Sequence, residues 1–213
     1  MYDKIITDLR KAYDQKVEER DSKSPDAWKI EERQRFLTLL QAEGKSTLLE
    51  IGAGTGVHGK FFQENGLDII CTDLSPEMVQ CCRDKGLTAY PMDFLNLDFP
   101  AHSFDALFAM NCLLHVPWAE FKNVLSILQS LLKPGGLFYL GQYGGREQAG
   151  IRPEDHYEPK RFFSFLSDAQ MQAAVTQFFE LLFFAPIPLE WNPKEAKQGN
   201  ADIHIQSLIL RQK

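Results

Sequence analysis

The stretch Leu48-Leu49-Glu50-Ile51-Gly52-Ala53-Gly54-Thr55-Gly56, running on into Val57-His58-Gly59-Lys60-Phe61-Phe62, decides the fold. Its leucines and isoleucine make a short strand buried on both faces. Three glycines at alternate positions then break the strand, and a turn that lets a ligand lie against bare backbone needs residues without Cβ. The helix that follows opens on unpaired N–H groups, a polar and electropositive seat for a cofactor. Strand, glycine turn and helix together predict a nucleotide-cofactor site.

The residues downstream bear on which cofactor this is. Leu67 to Cys71 reads as a second strand ending at Thr72-Asp73-Leu74-Ser75-Pro76-Glu77-Met78. An acid at the tip of a second strand is placed to accept hydrogen bonds from two ribose hydroxyls, which suits dinucleotides and S-adenosylmethionine alike. Gly54, Gly56 and Gly59 satisfy G-x-G-x-x-G in a shifted register, a weak signal by itself. In the register that starts at Gly52, Val57 stands where the third glycine belongs. Glu50, inside the strand before the turn, faces a pyrophosphate only at electrostatic cost but suits a cofactor carrying an ammonium and a sulfonium.

Beyond this unit, strand and helix patterns alternate as in a doubly wound sheet. Strands are predicted near 47–51, 68–72, 87–90, 104–109 and 136–141, with helices between them. The helix from Trp118 to Leu132 is closed by Lys133-Pro134-Gly135-Gly136. Residues 1 to 22 read as one polar helix, and Ser24-Pro25-Asp26 starts another that stops at Gly44. Residues 142 to 163 read as irregular and polar-aromatic. A helix near Ser167 to Gln177 and two last strands near 178–185 and 202–211 follow. Pro186-Ile187-Pro188 and Trp191-Asn192-Pro193 read as the loop between those strands.

A chain of 213 residues with 44% hydrophobic and 24% charged residues is ample for one α/β domain. A net charge of −6 argues against a protein that grips nucleic acid, for which a basic face is expected. No apolar run reaches membrane-span length and the N-terminus is charged rather than signal-like, so the expected location is the cytoplasm. Cys71, Cys81, Cys82 and Cys112 lack metal-site spacing and read as reduced thiols, and the histidines form no i, i+4 pair, so no metal is expected.

Five segments carry a resemblance: Glu50 to Gly56, Asp73 to Met78, Met92-Asp93-Phe94, Phe104-Asp105-Ala106-Leu107 and Leu132-Lys133-Pro134-Gly135-Gly136. In order and spacing, across roughly residues 46 to 141, the chain resembles a class I S-adenosylmethionine-dependent methyltransferase of the small-molecule type. That resemblance implies a Rossmann-like, three-layer α/β/α fold on a seven-stranded sheet with an antiparallel last strand. It implies a single domain over 1–213, with a helical cap (1–44), a cofactor-binding core (45–141), a lid or acceptor loop (142–166) and a C-terminal helix and β-hairpin (167–213).

Carried over by position, the resemblance gives Gly52, Ala53, Gly54 and Gly56 to the methionine part of the cofactor. Glu50 would hold that loop and bind, directly or through water, near the amino group. Asp73 would take the ribose hydroxyls, with Leu74 and Met78 packing on the adenine. Asp93 would accept from the adenine amino group with Phe94 beside the ring. Asn111 would line the methionine end, and Tyr13 of the Tyr13-Asp14 pair would reach the cofactor carboxylate with help from Trp28 and Arg33. Taken singly, Asp73 also reads as a helix cap, Asp93 as a turn residue, and Leu74, Met78 and Phe94 as core.

Methyl transfer asks the protein to align an acceptor behind an activated methyl group and exclude water; a base is needed only when the acceptor must lose its proton. Two places meet the acceptor. Asn111-Cys112-Leu113-Leu114-His115 follows the fourth strand, where open α/β sheets bind ligands, and His115 is a candidate base that also reads as a loop-ordering residue. The stretch from Tyr143 to Phe163 reads as an ordered lid, with Tyr143, His156, Tyr157 and Arg161 as acceptor-site candidates. Asn111 is followed by Cys112-Leu113-Leu114 rather than by the Pro-Pro-aromatic run of adenine and glutamine-amide methyltransferases, which disfavours that chemistry.

The expectation is methyl transfer to a small-molecule acceptor by a monomer or homodimer without nucleic-acid or membrane partners. A non-catalytic S-adenosylmethionine-binding sensor or partner subunit is the alternative, and a nicotinamide oxidoreductase a more distant one.

Overall fold

The structure, a computed structural model, describes residues 2–189 and 202–213. Trp191-Asn192-Pro193 lies outside the described residues. Helices α1 (Tyr2–Asp14), α2 (Val17–Asp21) and α3 (Ala27–Ala42) precede the first strand. Where the sequence predicts one helix over 1–22, the chain breaks at Gln15-Lys16. Ile5, Leu9 and Ala12 are buried along α1, whereas α2 buries no residue, so no continuous apolar stripe holds the two in line.

Six elements follow: β1 (Thr47–Ile51), α4 (Val57–Glu64), β2 (Asp68–Asp73), α5 (Pro76–Asp84), β3 (Thr88–Pro91) and β4 (Phe104–Met110), with a loop and no helix between β3 and β4 where the sequence predicts one. After a single 3₁₀ turn at Leu113–His115 come α6 (Trp118–Leu131), β5 (Leu132–Gly144), β6 (Gln148–Ile151), β7 (Phe162–Phe165), α7 (Asp168–Val175), β8 (Phe179–Ile187) and β9 (His204–Gln212). Seven strands form one sheet in the order β3-β2-β1-β4-β5-β9-β8, and β9 runs antiparallel to both of its neighbours. The order reverses between β1 and β4, which opens a crevice at their carboxyl ends.

The sheet is covered on both faces, as the apolar runs of its central strands require. Leu48 and Leu49 point to opposite faces and both are fully buried. On one face Phe108 stacks on Tyr139 at 4.9 Å, with Phe36 of α3 and Phe62 of α4 packed around them. On the other, α6 buries Phe121, Val124, Leu125, Leu128 and Leu131 at helical spacing, with Met171 and Val175 of α7 beside them.

Two stretches differ from the sequence expectation. β5 begins at Leu132, because the Lys133-Pro134-Gly135-Gly136 turn is taken into the strand as a bulge between the pairs Phe104↔Leu132 and Ala106↔Leu137. Gly135, at φ 68°, supplies the left-handed residue such a bulge needs. β5 also runs on to Gly144, since β9 pairs with it through Gly144↔His204. The lid is not irregular: Gln148–Ile151 and Phe162–Phe165 pair as an antiparallel ribbon. β8 runs through Pro186 to Ile187, and as an edge strand it tolerates proline. Cys71, Cys82 and Cys112 are buried free thiols, Cys81 is half-buried, and no metal-holding cluster occurs among the described residues.

Candidate active site

The glycine turn lies between β1 and α4 with Gly52, Gly54 and Gly56 all left-handed, at φ 66°, 57° and 80°. Gly52 is also a packing requirement: a Cβ there would stand 2.4 Å from Cys112 Cβ. Cys112 in turn donates to the Ile51 carbonyl at 3.1 Å, so the loop after β4 is clamped on the turn. Asp73, at the tip of β2, accepts from the Gly54 N–H at 2.8 Å and the Ser75 N–H at 2.9 Å. Burial pushes its pKa up while those two N–H groups and Arg20 pull it down. Ser75, not Asp73, caps α5: its Oγ accepts from the Met78 N–H at 3.1 Å and donates to Asp14 at 2.5 Å.

Two adjoining cavities open over the turn. One, of about 510 Å³, runs from Asp73, Leu74 and Phe94 to Asn111 and His115 under Leu9 and Tyr13 of α1. The other, of about 750 Å³, lies between the turn, His58 and Asn111 on one side and Arg20, Lys23 and Lys29 on the other. Arg20, Gly52, Gly54 and Asn111 border both. Asn111 is held at φ 54°, and its buried carboxamide oxygen has no hydrogen-bond partner. An orphaned acceptor between bare glycine backbone and an acid fits a cofactor with an ammonium at one end and ribose hydroxyls at the other.

The other expected residues stand as follows. Ala53 lines the larger cavity and Gly56 stands at the N-cap of α4. Glu50 is buried behind the turn rather than on a cavity, its Oε2 facing the Cys71 thiol at 3.5 Å, and burial raises its pKa to about 8. Met78 is fully buried and lines neither cavity. Asp93 borders a smaller apolar cavity with Tyr2, Ile6 and Phe94, and its oxygens accept from the Leu95 N–H and the Asn96 amide, both at 2.8 Å. Trp28 packs against the core, and Arg33 lies over the Phe61 ring at 4.3 Å. Tyr143 packs with Leu114, Phe163 and Phe165 and lines neither of these two cavities. His156 lies against the Tyr157 ring at 4.8 Å.

Tyr13 and His115 come together, though neither is left free for the part expected of it. The His115 Nδ1–H donates to the Phe162 carbonyl at 2.7 Å, since a carbonyl can only accept. In the neutral ring Nε2 is then the acceptor, and the Tyr13 hydroxyl donates to it at 2.7 Å. Burial holds the His115 pKa down at about 3. Both nitrogens are therefore engaged and the ring resists protonation, which corrects its expected role as a base. Tyr13 has committed its one proton to His115, so it has none to give a cofactor carboxylate. Arg161 donates to Tyr13 Oη at 3.1 Å, pairs with Asp155 at 2.8 Å and stacks on Tyr157 at 3.6 Å.

Two residues escaped the sequence reading. Arg20 and His58 carry no motif, and only the folding of α2 over the turn brings Arg20 to both cavities. Gly59 was visible in the shifted glycine pattern, but its cause is packing: a Cβ there would stand 2.7 Å from both Glu50 Oε2 and Cys71 Sγ.

A seven-stranded sheet with a reversed β9, a glycine turn after β1 and an acid ending β2 define the class I methyltransferase fold. A family model described as a methyltransferase domain matches residues 48–136, so that stretch is similar to the cofactor-binding domain of class I S-adenosylmethionine-dependent methyltransferases. A demethylmenaquinone methyltransferase of Tropheryma whipplei is 30% identical over 109 residues, covering 49% of this chain and 44% of its own. A tRNA N(3)-cytidine methyltransferase of Xenopus tropicalis is 30% identical over 119 residues, covering 49% and 35%. The chain thus spans less than half the length of these curated relatives. The crystal structure of Burkholderia thailandensis 1,6-didemethyltoxoflavin-N1-methyltransferase, with its substrate and S-adenosylhomocysteine bound, superposes with TM-score 0.69 at 20% identity, covering 96% of this chain and 87% of that one.

Proposed function

We propose that the protein transfers a methyl group from S-adenosylmethionine to a small-molecule acceptor by in-line displacement. The observation that carries this is the pair of joined cavities running from Asp73 across the glycine turn to Asn111 and His115, roofed by α1 and α2. When bound, S-adenosylmethionine supplies a methyl group already activated on a sulfonium. Asp73 would accept from the ribose hydroxyls, Leu74 and Phe94 would pack on the base, and Asp93 would border it. Asn111 would accept from the amino group, and Arg20 would hold the carboxylate in place of Tyr13. Glu50 would support the turn from behind with its charge felt at the cofactor's cationic end. The roofed site and the net charge of −6 favour a small molecule over a polynucleotide.

No helix among the described residues is long and apolar enough to cross a membrane. We take the protein to work in the cytoplasm, as a monomer or homodimer with residues 1–213 acting as one domain.

The test is calorimetric binding of S-adenosylmethionine, followed by S-adenosylhomocysteine release against small-molecule fractions of host-cell extract. Asp73→Ala should weaken cofactor binding by about 1–3 kcal/mol, the worth of hydrogen bonds to a charged acceptor. Arg20→Ala should weaken S-adenosylmethionine binding but leave 5′-methylthioadenosine, which lacks the amino-acid end, unaffected. Unchanged binding in folded Asp73→Ala removes the site assignment. Tight binding with no release from any fraction favours the non-catalytic sensor.

A further inference from the structure

The hydroxyl of Tyr13 has a single proton and two lone pairs. The proton is held by His115 Nε2 at 2.7 Å, and Arg161 donates to one lone pair at 3.1 Å. What Tyr13 can offer the cavity beside it is the remaining lone pair, an acceptor and never a donor. The state is locked from behind, because the Phe162 carbonyl holds the proton on His115 Nδ1. It is locked from the side as well, because Asp155 grips Arg161 through both carboxylate oxygens, at 2.8 and 3.0 Å.

The same walls are poor in bases. Among the described residues lining the two cavities, the only carboxylate is Asp73, and both of its oxygens already accept backbone N–H groups. The Cys112 thiol is turned to the Ile51 carbonyl. His58 stands across the glycine turn, where burial first, and then Arg33 and Lys29, oppose its protonation. His115 is neutral and engaged on both sides.

We infer that Tyr13 is a positioning residue for the acceptor, and that the acceptor is a nitrogen nucleophile that bears an N–H and attacks as the neutral species. This inference rests on the methyl-transfer reading above. An N–H aimed at Tyr13 Oη fixes the direction of the nitrogen lone pair. The nitrogen–methyl bond forms from that lone pair while the carbon–sulfur bond breaks, and sulfur keeps the bonding pair. The product leaves as a methylated cation that retains its N–H and releases that proton to water afterwards. The step balances without any protein base. A hydroxyl that must shed its proton during attack finds no free group to take it.

The experiment uses the full chain, S-adenosylmethionine labelled with ¹³C in the methyl group, and small-molecule fractions of host-cell extract. The carbon shift of the labelled product separates N-methyl from O-, S- and C-methyl. In parallel, ¹⁵N spectra of the S-adenosylhomocysteine-loaded protein report His115, with Nδ1 protonated and Nε2 accepting. The expected result is an N-methyl product and a His115 Nε2 signal that shifts in Tyr13→Phe. That variant should lose about 10- to 100-fold in kcat/KM through lost alignment, with S-adenosylhomocysteine affinity unchanged and a melting temperature lowered only by the lost buried hydrogen bonds. An O-, S- or C-methyl product overturns the inference, as does full activity in Tyr13→Phe or a proton on His115 Nε2. No labelled product from any fraction overturns the methyl-transfer reading and this inference with it, an outcome distinct from those three.

Discussion

Glu50 shows how one buried acid can be read both from sequence and from geometry. The sequence places a carboxylate where a cationic cofactor is tolerated, and the structure sets it behind the turn with its pKa raised by burial to about 8. A carboxyl that holds its proton more tightly folded than unfolded loses stability as pH rises from 4.5 toward 8. Glu50→Gln should therefore be more stable than the parent near pH 8, by about 1–3 kcal/mol in chemical denaturation. Cofactor binding brings positive charge near this carboxyl and lowers its pKa. Binding at about pH 7 should thus release a proton, read by calorimetry in buffers of different ionisation enthalpy and lost in Glu50→Gln. Gly59→Ala should destabilise by about 1–3 kcal/mol, the usual cost of overpacking, because its Cβ would meet Glu50 and Cys71. The glycine turn and Asp73 were legible because their chemistry demands particular residue types at fixed spacing. The engagement of His115 was not, since Tyr13 lies 102 residues away and the Phe162 carbonyl is common to any residue.

Among the elements, α1 and α2 are tied to the cofactor-binding core by polar contacts as well as by the buried face of α1. Asp14 at the end of α1 accepts from Ser75, the cap of α5, and Asp21 at the end of α2 pairs with Lys85 just past that helix. Lys85 also donates to the Thr55 carbonyl in the glycine turn at 2.6 Å, so one side chain joins cap, turn and α5. Ser75→Ala removes both a helix cap and the hold on α1. It should cost about 1–2 kcal/mol of stability and speed amide exchange in α1 relative to β1 and β4. The strands and most helices could be read from alternation and from end signals such as Ser24-Pro25-Asp26 before α3 and Gly44 after it. The β6–β7 ribbon could not. Its strands are four residues each with Gly150 in one of them, and neither shows an alternation strong enough to stand out without its partner.

For the molecule as a whole, the buried titratable groups set a pH window. Burial holds His58 and His115 down at about 3 from an ordinary 6.5, so the unfolded chain binds protons first on acidification and stability falls below pH 6.5. Glu50, raised to about 8, and Asp73, also raised, act in the opposite sense. Between 4.5 and 6.5 the two histidines outweigh Glu50, and above 6.5 Glu50 acts against stability without them. The melting temperature should peak near pH 6.5 and fall on both sides. His115→Asn should flatten the acid limb, and a melting temperature that rises steadily from pH 6.5 to 8 would exclude the assignment. The sheet and its reversed last strand were foreseen because five segments in order leave little freedom in how such a chain winds. The full length of β5 was not, because its bulge and final residues depend on pairing with β9.

That pairing also sets a timetable. β9 is the last strand in the chain, yet it sits between β5 and β8, seven decades of residue numbers after β5 begins. During synthesis β5 emerges with one side unpartnered and β8 has no neighbour until residues 204–212 leave the ribosome. The cofactor-binding half can assemble early around β1 to β4, whereas the half bearing the lid waits for β9 to be made. In that interval the nascent chain exposes the backbone of β5 as an open sheet edge, the feature that recruits chaperones or, failing them, other strands.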